Sequence, residues 1–155
     1  MKKPALILPC SGPKLPGKLP AIEKYTGSAV WGLLRSSPDD FRLLTERCTI
    51  IVISAKYGVL SASDIVDDYD AVLNNERFAS LQGQSAQSLK LNRLLASAKE
   101  VYIGLPKQYR ALLMTWLPFA CSGPYTTFPL GSGIGKQRSI LKQWCQRILS
   151  ETTFS

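Results

Sequence analysis

Apolar residues along this chain follow two rhythms. Ala5-Leu6-Ile7-Leu8-Pro9 is apolar without alternation, the pattern of a short strand covered on both sides. Thr49-Ile50-Ile51-Val52-Ile53 repeats that pattern in β-branched residues and predicts a central strand. Glu100 to Gly104 predicts a third strand and Tyr125 to Phe128 a fourth. The stretches between them carry helical spacing. Thr26 to Ser37 holds Val30, Trp31, Leu33 and Leu34, with Ser28 as a candidate cap. Pro38-Asp39-Asp40 opens a second helix that runs to Arg47. From Glu76 to Ala98 the pattern is helical, interrupted near Gly83, with Leu91, Leu94, Leu95 and Ala98 on one face. Lys107 to Leu117 carries the stripe Tyr109, Leu112, Leu113 and Trp116. Gly131-Ser132-Gly133 precedes a last helix with Leu141, Trp144, Cys145 and Ile148 turned inward. Residues 59–75 read as loop, with room for a short strand near Val66.

Strand–helix alternation of this kind predicts an α/β fold. The expectation is one domain over residues 1–155, built on a mainly parallel sheet of four to five strands with helices on both faces and right-handed crossovers. No repeat, low-complexity tract or linker interrupts it. The Pro/Gly/Lys-rich stretch 12–20 is the one long irregular segment, and it reads as a functional loop. Parallel strands put their carboxyl ends on one edge, where ligands bind in open α/β sheets. Four loops should converge there: Cys10-Ser11-Lys14, Ser54-Lys56-Tyr57-Gly58, Gly104 to Lys107, and Gly131 to Lys136. Helix N-termini at that edge add N–H donors, so phosphate or carboxylate should be attracted to it.

Composition narrows the class. At 45% hydrophobic and 19% charged, with near-zero mean hydropathy, the chain can bury a core and is not a disordered segment. No apolar run approaches the roughly 20 residues that cross a bilayer, and no membrane partner is expected. Met1-Lys2-Lys3 followed by an apolar stretch ending at Cys10 resembles a lipoprotein signal, but the apolar part is short and Pro9 spoils the cleavage site. A cytoplasmic location is expected. The four cysteines, Cys10, Cys48, Cys121 and Cys145, have no zinc spacing, and histidine is absent. No metal and no cofactor is expected, and free thiols suit a reducing compartment.

The net charge of +8 favours a polyanionic partner, nucleic acid first. Residues 1–24 carry five lysines against Glu23, a net +4, and residues 133–149 carry Lys136, Arg138, Lys142 and Arg147 with no acid, again +4. Asp64, Asp67, Asp68 and Asp70 form an acidic knot of −4 between them.

The loop chemistry then selects candidates. Gly131 to Lys136 is no phosphate-binding P-loop, because Gln137 follows Lys136 and Leu130 stands where the first glycine belongs. Gly133, Gly135 and Lys136 remain candidates for an anion-binding turn. Cys10 is a candidate nucleophile, although no histidine can serve as its base. Lys14 and Lys56, crowded by other cations, are candidate amine nucleophiles or hydrogen-bond donors. Asp70 is a candidate for orienting water or steadying a developing sugar cation. Ser11, Tyr25, Ser54, Tyr57, Gly58 and Tyr69 complete the candidate substrate-binding set. Ser61 to Asp64 fits a helix-capping turn.

Several of these motifs together resemble the short branch of the YaaA-like superfamily. They are Cys10-Ser11-x-x-Lys14, Pro20-Ala21-x-x-x-Tyr25-x-Gly27, Ile53-Ser54-Ala55-Lys56-Tyr57-Gly58-x-Leu60 and Tyr69-Asp70-x-x-Leu73. Gly104-x-x-x-x-Tyr109 and Pro129-Leu130-x-x-Gly133-Ile134-Gly135-x-Gln137 continue the resemblance over almost the whole chain. The longer YaaA proteins, which share a Tyr-Gly-Val-Leu motif like Tyr57 to Leu60, are associated with DNA binding and peroxide stress. A Pro-Cys-Ser-x-x-Lys motif like Pro9 to Lys14 occurs also in archaeosine synthases, which modify a deazaguanine base in transfer RNA. The resemblance implies work on a nucleobase or on nucleic acid. The expectation is a nucleic-acid-associated enzyme acting on a nucleobase or its N-glycosidic bond, in repair, stress or defence. Its partner would be nucleic acid, DNA before RNA, or a nucleotide. The alternative is a non-enzymatic DNA-binding protein of the peroxide-stress type.

Overall fold

Every residue from Ala5 to Leu8 is fully buried, and the sheet is built outward from that run. The computed structural model describes residues 2–151. In chain order the first elements are β1 (Lys3–Pro9), β2 (Leu19–Pro20), α1 (Ala21–Lys24), α2 (Ser28–Arg35) and α3 (Pro38–Arg47). β3 (Thr49–Ser54), β4 (Gly58–Ser61), β5 (Ile65–Val66), α4 (Asn75–Gln82) and α5 (Ser85–Leu95) follow. The last are β6 (Ala98–Ile103), α6 (Lys107–Met114), β7 (Tyr125–Thr127) and α7 (Ile134–Ser150). The five-stranded sheet has the order β4-β3-β1-β6-β7. Its neighbours run parallel except β4, which is antiparallel to β3. The protein is thus an α/β domain on a mixed, mostly parallel sheet. β2 and β5 form a separate antiparallel pair. Among the described residues no helix is long and apolar enough to cross a membrane.

Side chains of one strand point alternately to opposite sides, and the unbroken apolar runs feed two clusters. Ala5, Ile7, Ile51 and Ile53 pack with Leu81 of α4, Leu91 and Leu95 of α5, and Leu112 and Leu113 of α6. Leu6, Leu8, Ile50 and Val52 pack with Trp31 and Leu34 of α2, Leu44 of α3, and Leu141, Trp144 and Ile148 of α7. Each fully buried large apolar side chain stabilises the fold by about 1.5–3 kcal/mol. Trp31 also fixes the strand end directly, because its indole N–H donates to the Pro9 carbonyl at 2.8 Å.

Local signals explain the helix limits. α3 has Pro38 in its first turn, where no helical N–H is required, with Asp39 and Asp40 at the positive end of the dipole and Arg47 at the negative end. α4 is capped by Asn74, whose side-chain oxygen accepts from the Arg77 N–H at 2.9 Å. α2 starts at Ser28 with Gly27 in the cap position, so Ser28 is the first helical residue and not the cap.

The sequence pattern missed β2, α1 and β4. Ser54 to Gly58 does not simply end β3; it turns the chain back on itself. Ser54 pairs with Gly58, so Ala55, Lys56 and Tyr57 form a three-residue hairpin loop. Such loops close on a left-handed residue, and Gly58 has φ +74°. Ser61 to Asp64 likewise caps no helix. The Asp64 carboxylate accepts from the Ser61 N–H at 2.8 Å and closes the turn into β5. Lys90 pairs with the same carboxylate.

A side chain at position 58 would be opposed twice. The left-handed conformation costs a non-glycine residue about 1–2 kcal/mol. A Cβ there would also lie 2.3 Å from the Gln87 amide oxygen, which accepts from the Val59 N–H at 2.8 Å. Gly58→Ala is expected to lose about 2 kcal/mol in urea denaturation. An unchanged midpoint and slope would show that the hairpin does not depend on this glycine.

Candidate active site at the carboxyl edge of the sheet

The chain leaves β1 toward β3 and leaves β6 toward β7, in opposite directions across the sheet. Loops that part in this way open a crevice between the two strand ends. Cys10 follows β1 directly and Tyr109 stands in the first turn of α6, after β6. Their side chains meet across this point, Sγ to Oη 3.3 Å. Cys10 packs against both apolar clusters, at the rim where they join.

Beside that pair lies a chain of hydroxyls. Ser54 is fully buried, and its Oγ accepts the N–H groups of Lys56 and Tyr57, both at 3.1 Å. Both lone pairs of the hydroxyl are then engaged, so its proton is left to donate to Tyr69 Oη at 3.0 Å. Tyr69 Oη in turn bonds Tyr25 Oη at 2.7 Å. Tyr25 is fully buried, held against Trp31 with ring centroids 5.9 Å apart. Burial, the largest cause, pushes the Tyr25 phenol up to about 12, against a lowering pull from its bond to Tyr69. Burial and then the neighbouring Cys10 push Tyr69 and Tyr109 upward as well.

Two lysines stand over this network. Lys14 Nζ is 4.3 Å from the centroid of the Tyr69 ring, and Lys56 Nζ is 5.7 Å from the same centroid. Lys56 also stands 5.2 Å from the Tyr57 ring, which meets Tyr69 edge-on at 5.4 Å. Lys56 is exposed, and an exposed cation over a ring gains only about 0.5–1 kcal/mol. That is weak enough for the ammonium to leave the ring for a charged ligand. Lys14 also donates to the Gly12 carbonyl at 3.1 Å.

A residue the sequence reading overlooked holds the two arms together. Lys24 is fully buried, and its ammonium donates to the Gly17 carbonyl at 2.5 Å and to Asp68 Oδ1 at 2.6 Å. The Gly17 N–H donates to the same carboxylate oxygen at 2.9 Å. The Lys24 and Gly17 bonds hold the Asp68 carboxyl below the usual range. The loop 12–20, which carries Lys14, is thereby tied to the segment that carries Tyr69. Lys14 pairs with Tyr25 in an isolated antiparallel bridge, and Thr26 N–H donates to the Pro13 carbonyl at 3.2 Å.

The candidates therefore divide. Cys10, Lys14, Tyr25, Ser54, Lys56, Tyr57 and Tyr69 come together. Ser11 is buried and structural: its hydroxyl donates to the Pro13 carbonyl at 2.6 Å and accepts from the Gly27 N–H at 3.3 Å. Gly58 shapes the hairpin and is covered by Gln87. Asp70 is exposed and, among the described residues, makes no hydrogen bond or ion pair with the cluster; its neighbour Asp68 does the tying instead. Gly133, Gly135 and Lys136 are exposed at the start of α7. They share the sheet edge but follow β7, two strands from β1. Lys107 is exposed as well. Tyr109 was legible in an apolar stripe and in the Gly104-x-x-x-x-Tyr109 motif, but not as a site residue. The usable signal was its place in the first turn after a strand end.

The fold and the site thus define an α/β protein with thiol, phenol and ammonium groups gathered at its switch point. The chain belongs to DUF6884, a family of unknown function, which it matches over residues 5–143. No curated protein matches it. Among solved structures it is similar to the crystal structure of AF0587, a protein of unknown function, with a TM-score of 0.50 at 14% identity. The likeness covers 100% of this chain but 47% of that one, so this chain spans about half the length of its neighbour.

Two measurements check the network. Buried phenols titrate late, whereas those of the unfolded chain ionise near pH 10. Folded values raised above that mean a stabilising contribution that is complete below pH about 10 and is lost as pH climbs through about 12. The native absorbance at 295 nm should lag the denatured chain between those limits, and coincident titrations would refute the burial of these groups. Tyr69→Phe removes the central hydroxyl and leaves Ser54 and Tyr25 each short of a partner. It is expected to cost about 1–3 kcal/mol in denaturation. Tyr57→Phe should cost less, because among the described residues the Tyr57 hydroxyl makes no hydrogen bond.

Proposed function

We propose that this protein is an enzyme acting on a nucleobase or its N-glycosidic bond in nucleic acid, DNA before RNA. The observation that carries the reading is the approach of two ammonium groups, Lys14 and Lys56, to the ring of Tyr69. Chemistry at a base requires the base to leave the stack and enter a pocket. An aromatic face flanked by cations offers a surface for a flipped base and its sugar. The net charge of +8 supports attraction of the phosphate backbone.

One lysine acts as the free amine and attacks C1′ of the sugar. The C1′–N bond breaks, its electron pair goes to the base, and the second lysine, as ammonium, gives the departing base its proton. The attached amine passes a proton to O4′, the C1′–O4′ bond breaks, and the nitrogen lone pair forms the iminium of the opened sugar. Water then releases the sugar, activated by Asp70, which follows Tyr69 in the chain and faces solvent. Tyr57 or Tyr69 stacks on the base, and Cys10 with Tyr109 forms the wall of the crevice. Gly133, Gly135 and Lys136, on the same edge, meet the strand further along. The resemblance to YaaA-like proteins and archaeosine synthases supports the same class of substrate. The two apolar clusters support a sheet with helices on both faces. Four free thiols support a reducing, cytoplasmic setting.

Borohydride reduction tests the step directly. With oligonucleotides carrying modified or damaged bases, the native protein is expected to yield a covalent adduct and free base. Lys14→Ala or Lys56→Ala should abolish the adduct. Salt-sensitive binding with neither adduct nor base release from any substrate would overturn the proposal and leave a DNA-binding protein without catalysis.

A further inference from the structure

Lys56 also lines a second, polar hollow. Its volume is about 400 Å³, and Lys56, Asn74, Glu76, Arg77, Ser80 and Gln84 line it. That volume lies within the ~300–1,000 Å³ of ordinary small-ligand sites. Lys14 does not line it, so it is a separate compartment that shares one wall, Lys56, with the tyrosine–lysine cluster.

Its charges are uncommitted. Among the described residues neither the Lys56 ammonium nor the Arg77 guanidinium makes a hydrogen bond or an ion pair, although Glu76 lines the same hollow. The wall is nevertheless ordered. Asn74 caps α4 through the Arg77 N–H at 2.9 Å, and Gln84 bonds the Ser80 hydroxyl at 3.4 Å. Two cations and one carboxylate leave a net charge of +1. A terminal phosphate carries about −1.5 to −2 at neutral pH, and Glu76 would repel the excess. A phosphodiester carries a single negative charge and matches the balance. Arginine offers it a planar pair of donors, while Asn74 and Ser80 can meet the adjoining sugar.

We infer that this hollow binds the phosphodiester next to the nucleotide held at Tyr69, with Arg77 on its oxygens and Lys56, as the ammonium that protonates the departing base, in the shared wall. The inference rests on the proposed function and narrows its substrate to a polynucleotide strand, excluding the free nucleoside or mononucleotide. Arg77 is a binding residue of this subsite and takes no part in bond breaking.

The test compares native protein with Arg77→Ala on three probes: a fluorescent single-stranded oligonucleotide, the corresponding nucleoside 5′-monophosphate, and the nucleoside. Arg93→Ala removes the same charge from the last turn of α5, ahead of β6 and so toward the opposite edge of the sheet. Arg77→Ala is expected to weaken oligonucleotide binding about tenfold and to lower the slope of log Kd against log salt by about 1. Binding of the two small probes should not change, and Arg93→Ala should change oligonucleotide binding far less. Equal oligonucleotide affinity for native protein and Arg77→Ala, or an equal loss with Arg93→Ala, would overturn the subsite. Equal loss on the monophosphate would assign the hollow to a terminal phosphate and also overturn it. Borohydride trapping is scored separately. An Arg77-dependent strand affinity without any adduct would sink the catalytic reading and leave the phosphodiester site standing. Adduct formation unaffected by Arg77→Ala, with unchanged affinity, would do the reverse.

Discussion

The hydrogen-bonding edges of β1 are both occupied, by β3 on one side and β6 on the other. Its apolar residues are sealed from water, and Trp31 anchors its last carbonyl. A strand so enclosed can present chemistry only where it ends. Cys10 is the first residue past that end, and its N–H still donates to the Ile53 carbonyl at 3.0 Å. The ladder thereby sets the thiol at a fixed height above the sheet. Across it, Gly104 N–H donates to the Ile7 carbonyl at 2.8 Å and sets the start of the turn that delivers Tyr109. The contact between Cys10 and Tyr109 follows from strand register and owes little to loop preference.

Much of this order was legible in the chain. Unbroken apolar runs at Ala5 to Pro9 and Thr49 to Ile53 can exist only where both sides of a strand are covered, and both runs are strands. α3 was legible to the residue because proline, two aspartates and a final arginine mark its ends independently of the core. The hairpin after β3 was not. Ser54 to Gly58 contains the glycine that a three-residue turn requires, but a glycine after a strand marks a loop equally well. Only the pairing of Val59 with Ile53 and Leu60 with Val52 decides between them, and that is a tertiary fact. α1, with four residues, is too short to leave a period in the sequence.

The site was legible in its members and not in its wiring. Cys10, Lys14 and Lys56 carry chemistry in loops after β1 and β3, which topology brings to one edge, whereas Tyr25 follows α1 and Tyr69 follows β5, outside the five-stranded sheet. Burial reassigned the rest. Lys24 counted in the sequence as one more surface charge, yet it lies inside with a carboxylate and a carbonyl as partners. A buried lysine with those partners has no sequence signature, because its aspartate lies 44 residues away. Asp70 and Asp68 are indistinguishable as letters in an acidic knot; only the fold shows which one turns toward Gly17.

The tie at Lys24 has a mechanical consequence. Two segments that reach the edge from distant parts of the chain share one ammonium, so each braces the other. Acid that titrates Asp68 cuts this link and frees the Lys14 loop from the Tyr69 segment, while the Tyr69 phenol keeps its bonds to Ser54 and Tyr25.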